Sequence, residues 1–423
     1  MEPVLLASVA AVLIAFGLVS RRAERGVVSP PMIFLLLGLL VGKLGWIGID
    51  GGALDGLAEL TLAVVLFTDA ARIDLACLRR EGAIPARLLG IGLPLTVAAG
   101  AAVACVVFPA LGMWEALLIA AILAPTDAAL GQAVVSNPLV PVRIRQSLNV
   151  ESGLNDGIAL PIVLVAASMA GATEEGGNFA YWLRFAGLQI VLGPLAGVAV
   201  GYLGGKAVEA ATRSGWMNDA FQRLSVLGLA GLAFGGAELV GGNGFIAAFV
   251  AGLTLGNATR AVCECLYEFG EAEGQLLTLL VFLVFGAIMI PEAWPHWDGR
   301  ALLYAVARLT VVRMLPVAAS LLGAGLRPAT LAFVGWFGPR GLASILYALI
   351  IVEEGILESG PLLESIVMLT VLLSTVAHGM TAYPMARRYG KLLGAEREST
   401  VAEHREATEL PVRIRHSAGT LPG

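Results

Sequence analysis

Ala124-Pro125-Thr126-Asp127 and, about one helix later, Asn149-Val150-Glu151-Ser152-Gly153-Leu154-Asn155-Asp156 decide how this chain is read. Both stretches lie inside long apolar runs that have no obvious reason to carry acids. An ionisable group in hydrocarbon is costly unless it faces a bundle interior or a wet cavity, so it marks a functional site by default.

Working outward, the 423 residues are 57% hydrophobic and only 14% charged, with a mean hydropathy of +0.83. Soluble domains carry roughly 25% charged residues. No soluble core absorbs this much apolar sequence, so an all-α polytopic membrane protein is expected. A β-barrel would need alternating polarity in segments of about ten residues, which is absent. The 52 glycines suit closely packed membrane helices. The net charge of −5 is uninformative here, because charge acts locally at loops. Of the four cysteines, the Cys263-x-Cys265 pair lacks partners at metal spacing. The N-terminus has Glu2 instead of a basic region, so Pro3 to Ser20 reads as a first span and not a signal peptide.

Thirteen spans are expected, near 3–20, 29–45, 54–70, 86–109, 114–135, 146–170, 181–205, 221–240, 243–258, 274–291, 301–323, 329–351 and 361–386. Loops after odd spans carry Arg21, Arg22, Arg25, Arg72, Arg79, Arg80, Arg143, Arg145, Lys206, Arg213, Arg260 and Arg327. Loops after even spans hold Asp50, Asp55, Glu174, Glu175, Glu353, Glu354 and Glu358, with only Lys43 and Arg300 as bases. Positive residues mark the cytoplasmic side, so the N-terminus is expected outside and the C-terminus inside, which requires an odd span number. Residues 1–388 form the membrane domain, and 389–423 read as a short, flexible cytoplasmic tail.

Pro125 interrupts the fifth span, and Thr126 and Asp127 follow at once. Freed backbone groups in a membrane helix are tolerated where they line a cavity. Interrupted spans at matching places in two halves point to a transporter site. The matching break is Phe337-Gly338-Pro339-Arg340-Gly341 in the twelfth span. If spans 1–6 and 8–13 are inverted repeats about span 7, the two breaks are mates. In the sixth span Ser152 and Asp156 are four apart and share a face, while Glu151 and Asn155 share another, rotated by about 100°. Asp156, Asp127, Ser152 and Thr126 then converge as hard oxygen ligands for a monovalent cation. Glu151 and Asn155 are left to meet Arg340, because a buried guanidinium needs a carboxylate. Such a carboxylate holds either a cation or a proton, and that competition suffices for antiport. A purely capping role for Asp127 after Pro125 competes with this reading.

These motifs, with Gly242-Asn243-Gly244-Phe245-Ile246-Ala247 and Ala251-Gly252, Gly338-Pro339-Arg340-Gly341 and His378-Gly379-Met380-Thr381, resemble the NhaP-type sodium/proton antiporters of the cation/proton antiporter-1 family. The resemblance covers nearly all of the membrane domain, in the family's order. It implies thirteen helices, two inverted six-helix repeats with crossed broken helices, a homodimer, and alternating access by a moving core. It makes Asp156 the essential carrier, with Asp127, Ser152 and Thr126 as co-ligands and Glu151, Asn155 and Arg340 as a stabilising cluster. The Asn155-Asp156 pair implies electroneutral exchange of one cation for one proton. Pro339 departs from relatives that have Gly-Leu-Arg-Gly at this place.

The expected substrates are therefore Na⁺ or Li⁺ and H⁺, across a bacterial inner membrane, in pH homeostasis. A K⁺/H⁺ antiporter and a sodium-coupled organic-anion symporter are the alternatives; a channel or sensor lacks a filter repeat. No enzyme, resident metal, cofactor or nucleic-acid partner is expected, since no nucleophile, metal set or phosphate loop is present. Arg308 and Arg313 read as structural, one option being a helix C-terminus. Asp69 and Arg72 read as a local pair at the membrane edge, and His378 as a helix-end residue or a titrating one. Glu264, Glu268, Glu271 and Glu273 read as a solvated face or a cation funnel.

Overall fold

The computed structural model describes residues 3–23, 28–44, 51–127, 129–174, 179–259, 274–353, 357–394 and 403. Among these residues every regular element is helical. Residues Arg25, Asp50, Glu175, Arg260, Cys263, Glu264, Cys265, Glu268, Glu271, Glu273 and Glu354 and most of the tail lie outside them.

The first three passes are α1 (Pro3–Ala23), α2 (Pro30–Lys43) and α3 (Gly51–Ala71). A short α4 (Leu75–Glu81) follows, started by the Asp74 side chain, which accepts from the backbone N–H groups of Ala76 and Cys77 at 2.8 and 3.0 Å. The fourth pass is α5 (Ala83–Val107). The fifth is broken into α6 (Met113–Ile122) and the short α7 (Gln132–Val135). The sixth to ninth are α8 (Val142–Glu174), α9 (Phe179–Arg213), α10 (Asp219–Leu239) and α11 (Gly244–Ala258). Then come α12 (Gly274–His296) and α13 (Gly299–Ser320). The twelfth pass is broken into α14 (Pro328–Trp336) and α15 (Leu342–Glu353), and α16 (Gly360–Gly394) is the last. The described residues thus make thirteen passes, and both breaks fall where the prolines put them. Among the described residues, seven helices are long and apolar enough by themselves to cross a membrane. The chain is a multi-pass integral membrane protein.

Two differences from the sequence expectation concern ends. The helix α16 continues through 388 and 389 to Gly394, so the tail begins later than the last apolar residue implies. A helix needs no membrane to persist once its first turns are fixed, and Tyr389 and Leu393 are buried against the protein. From the tail, Glu403 is buried and accepts from the Arg327 N–H and the Thr330 hydroxyl, both at 2.8 Å, at the start of α14. Burial pushes its carboxyl up, but these hydrogen bonds outweigh it and hold the group below its ordinary value.

Close packing is achieved through glycine. Gly252 and Gly256, one turn apart on α11, lie against the carbonyls of Phe67 and Ala71 on α3, where an added Cβ would strike the oxygen. Gly38 and Gly42 of α2 meet Leu283 and Ala287 of α12 in the same way. Water offers no hydrophobic drive between helices in lipid, so backbone approach supplies the contact. Gly252→Leu should therefore cost about 1–3 kcal/mol or more, as overpacking does. Gly231→Leu, where nothing lies within 4 Å, should be tolerated. Melting of the detergent-solubilised variants, followed by monodisperse size-exclusion yield, separates the two outcomes.

Candidate functional site

The fifth pass stops being helical at Ile122 because Pro125 has no N–H to continue the ladder. The last carbonyls of α6 are then orphaned inside the protein. Those of Ile119 and Ala121 accept from the next backbone N–H groups, of Leu123 and Ala124, and others find a donor from elsewhere. Arg308 Nη2 donates to Ala120 O at 2.9 Å, and its Nη1 to Thr96 O at 2.9 Å. Ser344 Oγ donates to Ile122 O at 2.7 Å. Arg340 Nη1 donates to Ala124 O and, at 2.8 Å, to Pro125 O. Two buried guanidinium groups thus face the negative end of the half-helix dipole.

The second break is held reciprocally. Asp127 N–H donates to Pro339 O at 2.8 Å. Asp127 Oδ2 accepts from the Leu342 N–H at 2.9 Å, at the start of α15. Its Oδ1 accepts from Ala129 N–H at 2.7 Å and Leu130 N–H at 3.3 Å. One carboxylate therefore caps two chain segments, one from each broken pass. Gly341 permits this, since a Cβ there would occupy the position of Asp127 Oδ2. On the far side, Arg340 N–H donates to Ser374 Oγ at 2.6 Å. His378 Nε2 lies 2.9 Å from Trp336 O, the last helical residue of α14. His378 thus lies midway along α16, not at its end as one sequence reading had it, and its ring meets the end of α14.

The sixth pass brings its polar residues to the break. Thr126 Oγ1 and Ser152 Oγ are 2.8 Å apart, and Asn155 Nδ2 donates to Thr126 Oγ1 at 2.6 Å. Tyr347 Oη donates to the backbone carbonyl of Asp156 at 3.0 Å. Asp127, Asp156 and Thr126 line one cavity of about 310 Å³, mouth included, together with Asp69 of α3 and Thr278 of α12. Ser152 sits behind Thr126 and is absent from the cavity wall. With Ser344 of α15, three carboxyl groups and three hydroxyls thus converge on one space. Among the described residues no group of three His, Cys, Asp or Glu residues makes a metal centre.

Two expectations need correction. The guanidinium paired with Glu151 is that of Arg313, at 2.6 Å, with both side chains buried. Arg340 instead serves the carbonyls of the broken helix. Asn155 also belongs with Thr126 and Ser152, not on an Arg340 face. Positions 152, 155 and 156 are i, i+3 and i+4, which share one side of a helix. Pairing only residues four apart hid this. Sequence reasoning also missed that Asp69 lines the cavity. The signal was present, since Phe67-Thr68-Asp69 ends an apolar run with an acid, as the two quoted stretches do.

Breaking a buried ion pair from one side costs about 3–5 kcal/mol. Glu151→Ala and Arg313→Ala should each destabilise the solubilised protein by that order. The double variant should lose about 2 kcal/mol less than their sum. A parallel cycle of Glu151→Ala with Arg340→Ala should give the smaller coupling; equal coupling in the two cycles refutes the pairing.

A family model described as "Sodium/hydrogen exchanger, transmembrane" matches residues 7–388. The K(+)/H(+) antiporter NhaP of Alkalimonas amylolytica is 25% identical over 362 residues, 84% of this chain. This chain spans 62% of that relative's length. Na(+)/H(+) antiporter 2 of Zygosaccharomyces rouxii is 24% identical over 79% of the chain and 44% of the relative. Two structures of the sodium proton antiporter MjNhaP1 from Methanocaldococcus jannaschii share the fold. One has a TM-score of 0.69 at 21% identity, covering 92% of this chain and 100% of that one. The other has a TM-score of 0.74 at 20% identity, covering 94% and 99%. With the family model matching residues 7–388 of the 423, this chain belongs to the sodium/hydrogen exchanger transmembrane family.

Proposed function

We propose that this chain exchanges a monovalent cation for a proton by alternating access, with Asp156 as the group that holds one or the other. The observation that carries this reading is the convergence of Asp69, Asp127 and Asp156 on one cavity where two broken helices cross. Carboxylates gathered in a protein interior demand compensating positive charge, and a bound cation or a proton supplies it. Asp127 gives its oxygens to three backbone N–H groups, so it serves as a fixed wall of the site. Asp156, on the same cavity wall from α8, is the group proposed to exchange cation for proton. Thr126 faces the cation, Ser152 and Asn155 orient the Thr126 hydroxyl, and Glu151, Arg313 and Arg340 hold the break. Such a carboxylate-lined space repels an organic anion.

The cation is proposed to be Na⁺ or Li⁺, in line with the sodium antiporter whose fold the chain shares. K⁺ is the second reading, favoured by relatives that carry the name K(+)/H(+) antiporter. Asn155 contributes an amide donor where a second acid would add a titrating group, which supports exchange of one cation for one proton. The working form is proposed to be a homodimer in a bacterial plasma membrane with its C-terminus cytoplasmic, the side marked by the basic loops. Membrane lipid surrounds it, and pH homeostasis is the role such exchange serves.

In everted vesicles, cation-driven proton movement should fall to background with Asp156→Asn and with Asp156→Ala, for Na⁺, Li⁺ and K⁺ alike. Persistent flux in both variants would remove Asp156 from the central role. The cation giving the lowest half-saturating concentration in the parent identifies the substrate. Clamping the membrane potential tests stoichiometry. Moving one net charge through 100 mV is worth about 2.3 kcal/mol, roughly fiftyfold. Exchange by reconstituted protein should instead be insensitive to the clamp.

A further inference from the structure

A second cavity, about 1,280 Å³ with its mouth included, lies in the same molecule. Three helices line both cavities, and their residues divide in order along each axis. On α3, Glu59 borders the second cavity, whereas Val65 and Asp69 border the ion cavity. On α8, Leu160 lines the second and Asp156 the first. On α15, Tyr347 lines the second and Leu342 to Ser344 the first. The numbering runs towards the second cavity on α8 and α15 and away from it on α3. The two cavities are therefore stacked along one direction, with α3 antiparallel to the other two helices.

Between them lies a thin plug. At 1.5 Å per residue, the gap from Asp156 to Leu160 is about 6 Å, that from Ser344 to Tyr347 about 4.5 Å and that from Glu59 to Val65 about 9 Å. Leu62 on α3 and Ile345 and Leu346 on α15 fall in sequence between the two sets of lining residues and are buried in one apolar cluster. Tyr347 links the second cavity to a residue of the ion cavity. Its side chain borders the second cavity, and its hydroxyl donates to the carbonyl of Asp156 at 3.0 Å.

We propose that the second cavity is the opposite access path to the ion site, and that Tyr347 is its closed gate. This rests on the exchange reading above and adds to it the residue that seals one side. The aromatic ring completes an apolar barrier that a hydrated ion does not cross, and the hydroxyl latches the barrier to the residue that carries the ion. Opening towards the second cavity breaks the Tyr347–Asp156 hydrogen bond and turns the ring out of the plug. Tyr347 is thus a positioning and gating residue, and the cation is not its ligand.

Thiol accessibility tests this independently of transport. In a background with Cys77, Cys105, Cys263 and Cys265 changed to Ser, Thr278→Cys reports from the ion cavity. A membrane-impermeant trimethylammonium methanethiosulfonate is applied to right-side-out and to everted vesicles. Tyr347→Phe keeps the ring and drops the latch. It should raise the labelling rate about threefold to tenfold from one side only, the range that one lost hydrogen bond supplies. Tyr347→Ala should raise it further from that same side. Labelling at the parent rate from both sides in Tyr347→Phe and Tyr347→Ala overturns the proposal. If the Ala variant does not fold, the Phe variant alone decides by the same criterion. Cation-driven flux in the parent is measured separately. One-sided labelling without flux leaves the gate and refutes the exchange reading, whereas flux without a labelling change does the reverse.

Discussion

A helix broken inside a membrane must find partners for backbone groups that water cannot reach. Here the two breaks solve the problem for each other. The N–H of Asp127 meets the carbonyl of Pro339, and the carboxylate of Asp127 meets the N–H of Leu342. Arg340, from the second break, returns a guanidinium to the carbonyls of Ala124 and Pro125 in the first. Cutting either side leaves buried polar atoms on the other. This exchange sets Thr126 and Asp127 on the cavity wall, because both belong to the very segment it holds.

That dependence explains why the residues form tiers. Arg308 lies off the cavity wall and Ser344 on it, and both terminate α6 and so set where Thr126 begins. The Glu151–Arg313 pair ties α8 to α13 without reaching the cavity. Gly341 contributes nothing but absence, and that absence is what lets the Asp127 carboxylate approach the start of α15.

Much of this was legible in the chain. Pro125 and Pro339 each announce a broken pass, and the apolar run lengths announce the thirteen passes. Asp127 and Asp156 are conspicuous because their neighbours are apolar. What the sequence left open is pairing across distance. Arg313 and Arg340 are equally plausible partners for Glu151 in one dimension, and only the crossing of the breaks shows that Arg340 is committed to carbonyls. Asp69 sits beside Arg72 in sequence, which draws attention to a local pair and away from the cavity. The end of α16 is not legible for a different reason. Its last turns are held by packing against the protein, which hydropathy does not register.

The glycine seams between α3 and α11 and between α2 and α12 differ in kind from the interdigitated side-chain packing of a soluble core. There a bulky replacement can be absorbed by a neighbour that becomes smaller. At Gly252 and Gly256 the opposing atoms are the main-chain oxygens of Phe67 and Ala71, which no substitution can trim. Second-site suppressors for these positions therefore cannot arise at the point of contact. They would have to act by shifting a whole helix, which in α3 also carries Asp69. Drift at these glycines is thus coupled to the ion cavity although neither residue lines it.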